Sequence, residues 1–520
     1  MKIKQSFITG VLILGISGIL AKFLGLFFRW PVTMLIGDEG IGLYQLAYPV
    51  YMFIIAIMSG FPVAISSMVS ERITLGKRLE AHRVFKVSLL ILILIGALSS
   101  ILLYASAPYI IIILKWRSDA YYSFVAIAFA PLFVAIMSAF RGYFQGLQMM
   151  GMPAASQIVE QAGRVVVGVG LTYMLLPYGI SYSAAGASFG ACAGAVIGCI
   201  VLTSGYVKYK KYIIPRDVNE KKEGIGRIIS LLLSNAIPIS LGMTVGSIMA
   251  LIDTIIVPGQ LLAAGFSEKI ATQLYGQLAG KAHVLVNVPL TFSVALATSL
   301  VPAMSEVKAK RNINNIKDTA QSAVKMAILL GLPSSAGLFI LSDPILHLVF
   351  PGISEGADVL QVLSLSVVFI VLAQILVSIL HGMGNVMSPV KNLAIGSIFK
   401  LVLSYTLTSM PALNVKGAAI STIVGYIVAA ILNLKDVMKA TYFTFDIDKM
   451  VLRPLLATLM MGIGVYMMYN KSIVLTGSNG LSTIISVTTG IIVYVIVLLI
   501  TGCISLLEIT QYFKYRKQKK

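Results

Sequence analysis

Lys22 and Arg29 stand seven residues apart in a stretch that is otherwise apolar. Seven residues make two helical turns, so a helix here carries both cations on one face, about 10 Å apart along its axis. A charge at mid-bilayer costs about 2.5–3.5 kcal/mol on insertion scales and usually faces a partner or a water-filled cavity. Two such charges on one stripe, with Leu, Ile and Phe opposite, suit a cavity that holds an anion. The competing reading is that the long side chains snorkel to the headgroups. Arg29 lies near a span end, whereas Lys22 is deeper. Further along, Arg141 sits less than a turn from a span end, where it either joins the basic set or anchors topology. Glu160 and Arg164 are four apart with Glu first, the order that favours an ion pair on one helical face, so a mutual pair is expected. Asp253, in MALIDTIIVP, has three options: a coupling cation, a helix cap, or a basic partner from elsewhere. Lys281 is at the mouth of a span. Lys325 and Lys400 lie within a turn or two of loops, where snorkelling is expected. Lys22, Arg29, Arg141 and Arg164 are therefore the expected substrate-binding set. Glu160 and Asp253 are the expected positions for ion coupling or gating.

Several chemistries lack their residues. There is no Walker A lysine motif, no His-Glu-x-x-His, and no Gly-x-Ser-x-Gly with a plausible histidine. Cys192, Cys199 and Cys503 fall in apolar segments without metal-ligand spacing to a histidine, which reads as buried inert thiols. The chain calls for no cofactor and no metal, and it does not read as an enzyme.

The elements that position these charges are apolar all round. Of 520 residues, 58% are hydrophobic and 12% charged, against roughly 25% charged in soluble domains. Apolar stretches of about 20 residues recur from end to end, each long enough to cross a hydrocarbon core about 30 Å thick. About fourteen spans fit between residues 9 and 507 by that length criterion. The basic amino terminus and first apolar stretch read as a retained span, since no small-residue cleavage site follows. The fold class is an all-α integral membrane protein.

The formal charge of +20 alternates with topology rather than forming a nucleic-acid surface. Even-numbered connections and both tails hold Arg72, Lys77, Arg78, Arg83, Lys208, Lys210, Lys211, Arg216, Lys221, Lys222, Lys308, Lys310, Arg311 and a tail from Lys514 to Lys520. Odd-numbered connections are nearly free of Lys and Arg. The positive-inside rule puts both termini in the cytoplasm, in agreement with an even span count. The basic loops are then contacts to anionic membrane lipids.

An internal repeat recurs at an offset of about 235 residues. GLYQLAYPVYMF and its downstream Ser-Glu (42–71) match LYGQLAGKAHVL and its Ser-Glu (274–306). GLQMMGMP (146–153) matches GMGNVMSP (382–389). Pro177 before AAGASFG matches Pro411 before GAAISTIVG. The expected organisation is a six-helix bundle over 1–210, a basic cytoplasmic linker over 211–227, and a parallel six-helix bundle over 228–440. Two extra spans and a basic tail fill 441–520. Parallel repeats of this kind suit a transporter that alternates access.

GILAKFLGLFFRWPVTMLIGDEGIGLYQLAYPVYMFIIAIMSGFPVAISSMVSE, the IDTIIVP stretch and the repeat together resemble the polysaccharide-transporter and lipid-flippase branch of the multidrug/oligosaccharidyl-lipid/polysaccharide exporter superfamily. The resemblance implies a V-shaped pair of bundles around a basic cavity. It also implies export of an undecaprenyl-pyrophosphate-linked oligosaccharide precursor, with cell-wall synthesis enzymes as neighbours. Its sporulation members imply peptidoglycan of the spore cortex. In the lipid II flippases of this group two basic residues of the first span face the cavity. Lys22 and Arg29 match them with one residue more of spacing and Lys in place of the first Arg, while AIMSGFPVAIS in the second span has no basic residue. The extra spans imply a groove for a lipid tail. The rivals are a cation-coupled drug exporter of the same fold, which needs acidic cavity residues, a membrane glycosyltransferase or polymerase, which needs acidic residues in a large outer loop, and a scaffold.

Overall fold

The computed structural model describes residues 7–213 and 223–503. Arg216, Lys221 and Lys222 of the linker and the basic tail from Lys514 lie outside them. The described chain is helical: α1 Phe7–Met58, α2 Gly60–Thr74, α3 Arg78–Ile113, α4 Ala120–Ala128, α5 Ala130–Gly146, α6 Gly151–Met174, α7 Ile180–Ile213, α8 Ile225–Ala263, α9 Glu268–Gly276, α10 His283–Ala309, α11 Ile313–Ile340, α12 Ser342–Val349, α13 Ala357–Ser364, α14 Ser366–Gly382, α15 Met387–Thr408, α16 Val415–Thr441, α17 Arg453–Thr476 and α18 Asn479–Ile500. Thirteen stretches among the described residues are long and apolar enough to cross a membrane. One of them, 13–74, spans the break at Gly37, and two others, Ile225–Gly242 and Gly246–Ala263, are parts of the continuous α8. The charged helix α6 is not among the thirteen.

The sequence pattern predicts a short loop between the first two spans. The structure instead runs helix through it with one interruption, Gly37, at φ 63° and ψ −168°. Glycine reaches that conformation without a Cβ clash, so one residue replaces a loop. The second crossing then breaks once more at Ser59, ahead of Pro62, which falls in the first turn of α2 where its missing N–H costs nothing. Pro49, Pro238, Pro289, Pro302 and Pro333 remain inside helices, as neighbouring packing in membrane proteins permits.

The chain divides into two compact units, 1–280 and 281–520. The first holds α1 to α9. In it α6 and α7 pack antiparallel through glycine: a Cβ on Gly190 would lie 2.7 Å from the Gly168 Cα, and one on Gly194 would lie 2.5 Å from the Glu160 carbonyl oxygen. Small residues let helix backbones approach where lipid offers no hydrophobic drive to association. The second unit repeats the device. A Cβ on Gly396 of α15 would lie 2.4 Å from the Gly425 carbonyl oxygen of α16.

The second sequence repeat also has a packing cause. A Cβ on Gly146 would lie 2.7 Å from Val69 Cβ of α2, and one on Gly382 would lie 2.5 Å from Met304 Cβ of α10. The repeated glycine therefore seats the end of α5 on α2, and the end of α14 on α10. In the second unit α17 and α18 pack on α11. Leu341, Ala457, Met461, Val465, Tyr494 and Leu498 form their core, and the Tyr494 hydroxyl donates to the Leu329 carbonyl at 3.0 Å.

Gly190→Ala is expected to destabilise the purified protein by about 1–3 kcal/mol, the usual cost of overpacking. Gly170→Ala, where a Cβ meets nothing within 4 Å, should leave stability unchanged or raise it. Unfolding midpoints in detergent check the pair, and equal midpoints would refute the close-packing account.

Candidate anion site

Helix α6 carries Arg164 on the side turned to α1 and α7, and packing leaves it only 9% exposed. Its guanidinium does not meet Glu160. The Arg164 Nη2 donates to the Tyr44 hydroxyl at 2.5 Å, and Nη1 donates to the Tyr48 hydroxyl at 3.2 Å. The guanidinium carbon lies 5.0 Å from the Phe28 ring centroid and 4.7 Å from that of Tyr48. The buried Nε has no hydrogen-bond partner. Among the described residues no carboxylate lies within ion-pair distance of this cation. Burying a charge in a low-dielectric interior costs several kcal/mol. Two neutral hydroxyls and two ring faces, worth about 0.5–2 kcal/mol per ring, reduce that cost without cancelling the charge.

The aromatic wall comes from α1. Tyr44, Tyr48 and Tyr51 follow at i, i+4 and i+7, so they share one helical face. Tyr44 and Tyr48 stack at 5.3 Å between centroids and 19° between planes. Phe28, from the other side of the Gly37 break, reaches Tyr44 at 6.1 Å. The break folds the two halves of α1 back so that their aromatics converge on α6. Arg29, beside Phe28, places its guanidinium carbon 5.6 Å from the Tyr48 centroid. Two guanidiniums thus meet one tyrosine ring. Arg29 is half-buried, and among the described residues its side chain has neither a hydrogen bond nor an ion pair. Lys22 is exposed, two turns back along α1.

The expected Glu160–Arg164 pair is replaced by another. Arg141, from α5, donates through Nη2 to Glu160 Oε2 at 2.7 Å and through Nε to Ser156 Oγ at 3.0 Å. Ser156 in turn donates to the Pro153 carbonyl at 2.7 Å, which fixes the acceptor. Spacing along one helix cannot foresee this, because the competing cation arrives from a neighbouring helix. Lys400 is also not at a headgroup: it is 1% exposed within the second unit, on the face of α15 that buries Ser397 and Ser404. Lys281, equally buried, donates to the Ile353 and Glu355 carbonyls and so ties down the loop after α12. Lys325 is half-buried. Asp253 is 3% exposed in α8, next to Thr254.

At the Gly37 end of the first unit the repeated Gln-Leu-Ala segments meet. The Gln45 amide donates to the Ala279 carbonyl at 2.5 Å, and the Gln277 amide donates to Asp38 Oδ2 at 3.0 Å. A Cβ on Gly42 would lie 2.2 Å from the Thr272 carbonyl oxygen, and one on Gly276 would lie 2.1 Å from that of Asp38. Around this crossing, Arg117 bonds Glu39, reaches Asp119 at 2.5 Å, and shares Glu39 with Lys269 at 3.5 Å. Burial opposes the charge on Arg117, but the bond it donates to Glu39 and the Asp119 carboxylate outweigh it and hold its pKa above the ordinary value.

Sequence reasoning did not single out Phe28, Tyr44 and Tyr48 as site residues, although the tyrosine spacing in GLYQLAYPVY was a usable signal. It did not link Arg141 to Ser156 either. Among the described residues no group of His, Cys, Asp and Glu is arranged to hold a metal.

Residues 7–308, more than half of the chain, match the family described as polysaccharide biosynthesis protein. The chain belongs to that family. Residues 278–406 also match the MatE family. The polysaccharide biosynthesis family member is 29% identical to stage V sporulation protein B of Bacillus subtilis over 86% of both chains. It is 26% identical to the lipid II flippase MurJ of the same organism, covering 88% of this chain and 87% of that one. Its fold is similar to that of a solved structure described as the inward-facing conformation of a multidrug resistance MATE family transporter, with a TM-score of 0.68, 16% identity, and coverage of 84% of this chain and 100% of the other. It is also similar to that of lipid II flippase MurJ in an inward closed conformation, with a TM-score of 0.64, 16% identity, and coverage of 94% and 98%. The family places the protein among the transporters of the exporter superfamily, as a multi-pass membrane protein rather than an enzyme.

Tyr44→Phe strips a hydrogen-bond acceptor from a buried guanidinium and is expected to cost about 1–3 kcal/mol. Tyr109→Phe, at a tyrosine 68% exposed, should be neutral. Urea or thermal unfolding of the two purified variants distinguishes them, and a neutral Tyr44→Phe would remove the hydroxyl from the site.

Proposed function

We propose that this protein is a flippase, or exporter, of a polyprenyl-pyrophosphate-linked cell-wall precursor of the lipid II type. The observation that carries the reading is Arg164: a buried cation with aromatic and hydroxyl support but no carboxylate among the described residues. Arg29 over the same Tyr48 ring adds a second guanidinium. Guanidinium forks match phosphate oxygens in geometry as well as charge. A pyrophosphate is a substrate group that pairs both cations at once, with Lys22 adding positive charge two turns along α1. The polyprenyl tail stays in lipid throughout.

The relatives supply the rest of the reading. A flippase of lipid II and a stage V sporulation protein each align with more than four fifths of the chain. They support a lipid-linked oligosaccharide as cargo, spore cortex peptidoglycan as its destination, and cell-wall synthesis enzymes as partners. The charge pattern supports cytoplasmic termini. The Gly37 end then faces outward, where the Gln45 and Gln277 bonds and the Arg117 cluster close it. Parting of that end is the step that alternating access requires, and each cycle then remakes the Gln45 and Gln277 bonds and the Glu39–Arg117 pair.

The purified protein in liposomes, supplied with a fluorescent lipid II analogue, is expected to move the lipid between leaflets. Arg164→Ala and the double variant Lys22→Ala with Arg29→Ala are each expected to slow movement at least tenfold. Undiminished movement in Arg164→Ala would overturn the anion-site assignment. No movement by the native chain, with a membrane potential and with Na⁺ or H⁺ gradients supplied in turn, would overturn the choice of cargo.

A further inference from the structure

Glu160 is a threat to the site just described. It precedes Arg164 by four residues on α6, the order and spacing at which a carboxylate and a guanidinium pair on a helix surface. Arg164 is the more deeply buried of the two arginines near Glu160: it is 9% exposed, while the Arg141 side chain is 21% exposed. Coulomb attraction strengthens as the surrounding dielectric falls. On those grounds alone Glu160 belongs with Arg164, and the pair would leave no net charge for an anion. The structure has the opposite arrangement. Glu160 is 2.7 Å from Arg141 Nη2, and the Arg141 fork is braced by Ser156, one helical turn before Glu160 on the same helix.

We propose that Arg141 is a positioning residue: by holding the Glu160 carboxylate, it keeps Arg164 uncompensated and therefore able to bind an anion. The inference rests on the anion-site reading above. It gives Arg141 a role in recognition without any contact with the cargo. Two adjacent layers of α6 are then sorted by charge. In the layer of Ser156 and Glu160 a basic side chain from α5 neutralises the acid. In the layer of Arg164, among the described residues, only hydroxyls and ring faces from α1 approach the base. Loss of Arg141 releases Glu160 to the one partner on its own helix face, and the site closes on itself as an internal ion pair.

The reading predicts an epistatic pattern that a structural role does not. The full-length protein in nanodiscs is titrated with farnesyl pyrophosphate, and its dissociation constant is read by microscale thermophoresis. Arg164→Gln and Arg141→Gln are each expected to weaken binding at least tenfold. Glu160→Gln alone is expected to bind as tightly as the native chain or tighter. Arg141→Gln combined with Glu160→Gln should return to within about threefold of native. Should Arg141→Gln not fold, Ser156→Ala loosens the brace while keeping the charge; it is expected to weaken binding a few-fold, and Glu160→Gln should reverse that loss. A combined variant as weak as Arg141→Gln would overturn the proposal while leaving the anion site in place. So would native affinity in Arg141→Gln, or a Glu160→Gln variant that binds as poorly as Arg164→Gln. Native affinity in Arg164→Gln is a separate failure and would remove the anion site itself.

Discussion

A guanidinium buried among packed helices cannot be left bare, and the way Arg164 is satisfied organises the first unit. A carboxylate would have neutralised it. Tyrosine hydroxyls and ring faces instead spread its charge without cancelling it, and they demand that a second helix bring aromatics to within about 5 Å of α6. That demand explains the shape of α1, whose halves on either side of Gly37 supply Phe28 from one and Tyr44 and Tyr48 from the other. It also explains why α7 must be thin where it crosses α6. Gly190 and Gly194 lie against the backbone of Gly168 and Glu160, and bulk at those points would push α6 off the tyrosines.

The same economy of contact runs through the repeat. In both units a glycine ends one helix against the flank of an earlier one, and a pair of glycines joins the last two helices of each six. Repeated motifs in the sequence are thus repeated solutions to close backbone approach, which in a membrane is the main means of holding helices together. The polar pairs at the Gly37 end work differently. Gln45, Gln277, Glu39, Arg117 and Lys269 join α1, the loop after α3, and α9 with the segment that follows it through side-chain hydrogen bonds and ion pairs.

Charge placement divides the buried cations by task. Lys281 spends its ammonium on the Ile353 and Glu355 carbonyls and on the Glu355 carboxylate at 3.9 Å, and Arg141 spends its guanidinium on Glu160 and Ser156. Arg29 and Arg164 spend theirs on rings and hydroxyls, which leaves them positive. Burial alone does not distinguish these roles. The chemistry of the partner does, because only a negative partner removes the charge that a phosphate would seek.

Much of this was legible in the residues before any coordinates. Apolar stretches about 20 residues long, free of polar faces, determine by themselves that the chain is a bundle of membrane helices, because an unsatisfied backbone in lipid leaves few alternatives. The alternation of Lys and Arg between loops, the duplicated Gln-Leu-Ala and Gly-to-Pro motifs, and the short set of charges within spans were equally plain. What the sequence could not decide was which charge meets which. Glu160 and Arg164 are ideal partners at i and i+4, yet Glu160 is taken by Arg141 from α5, and Arg164 by tyrosines more than a hundred residues earlier. Lys400 stands close enough to a loop to snorkel, yet its helix face is turned inward. Periodicity along one helix fixes which residues share a face. Only tertiary packing fixes what that face meets, and for a buried charge the encounter settles whether it holds the fold together or waits for a ligand.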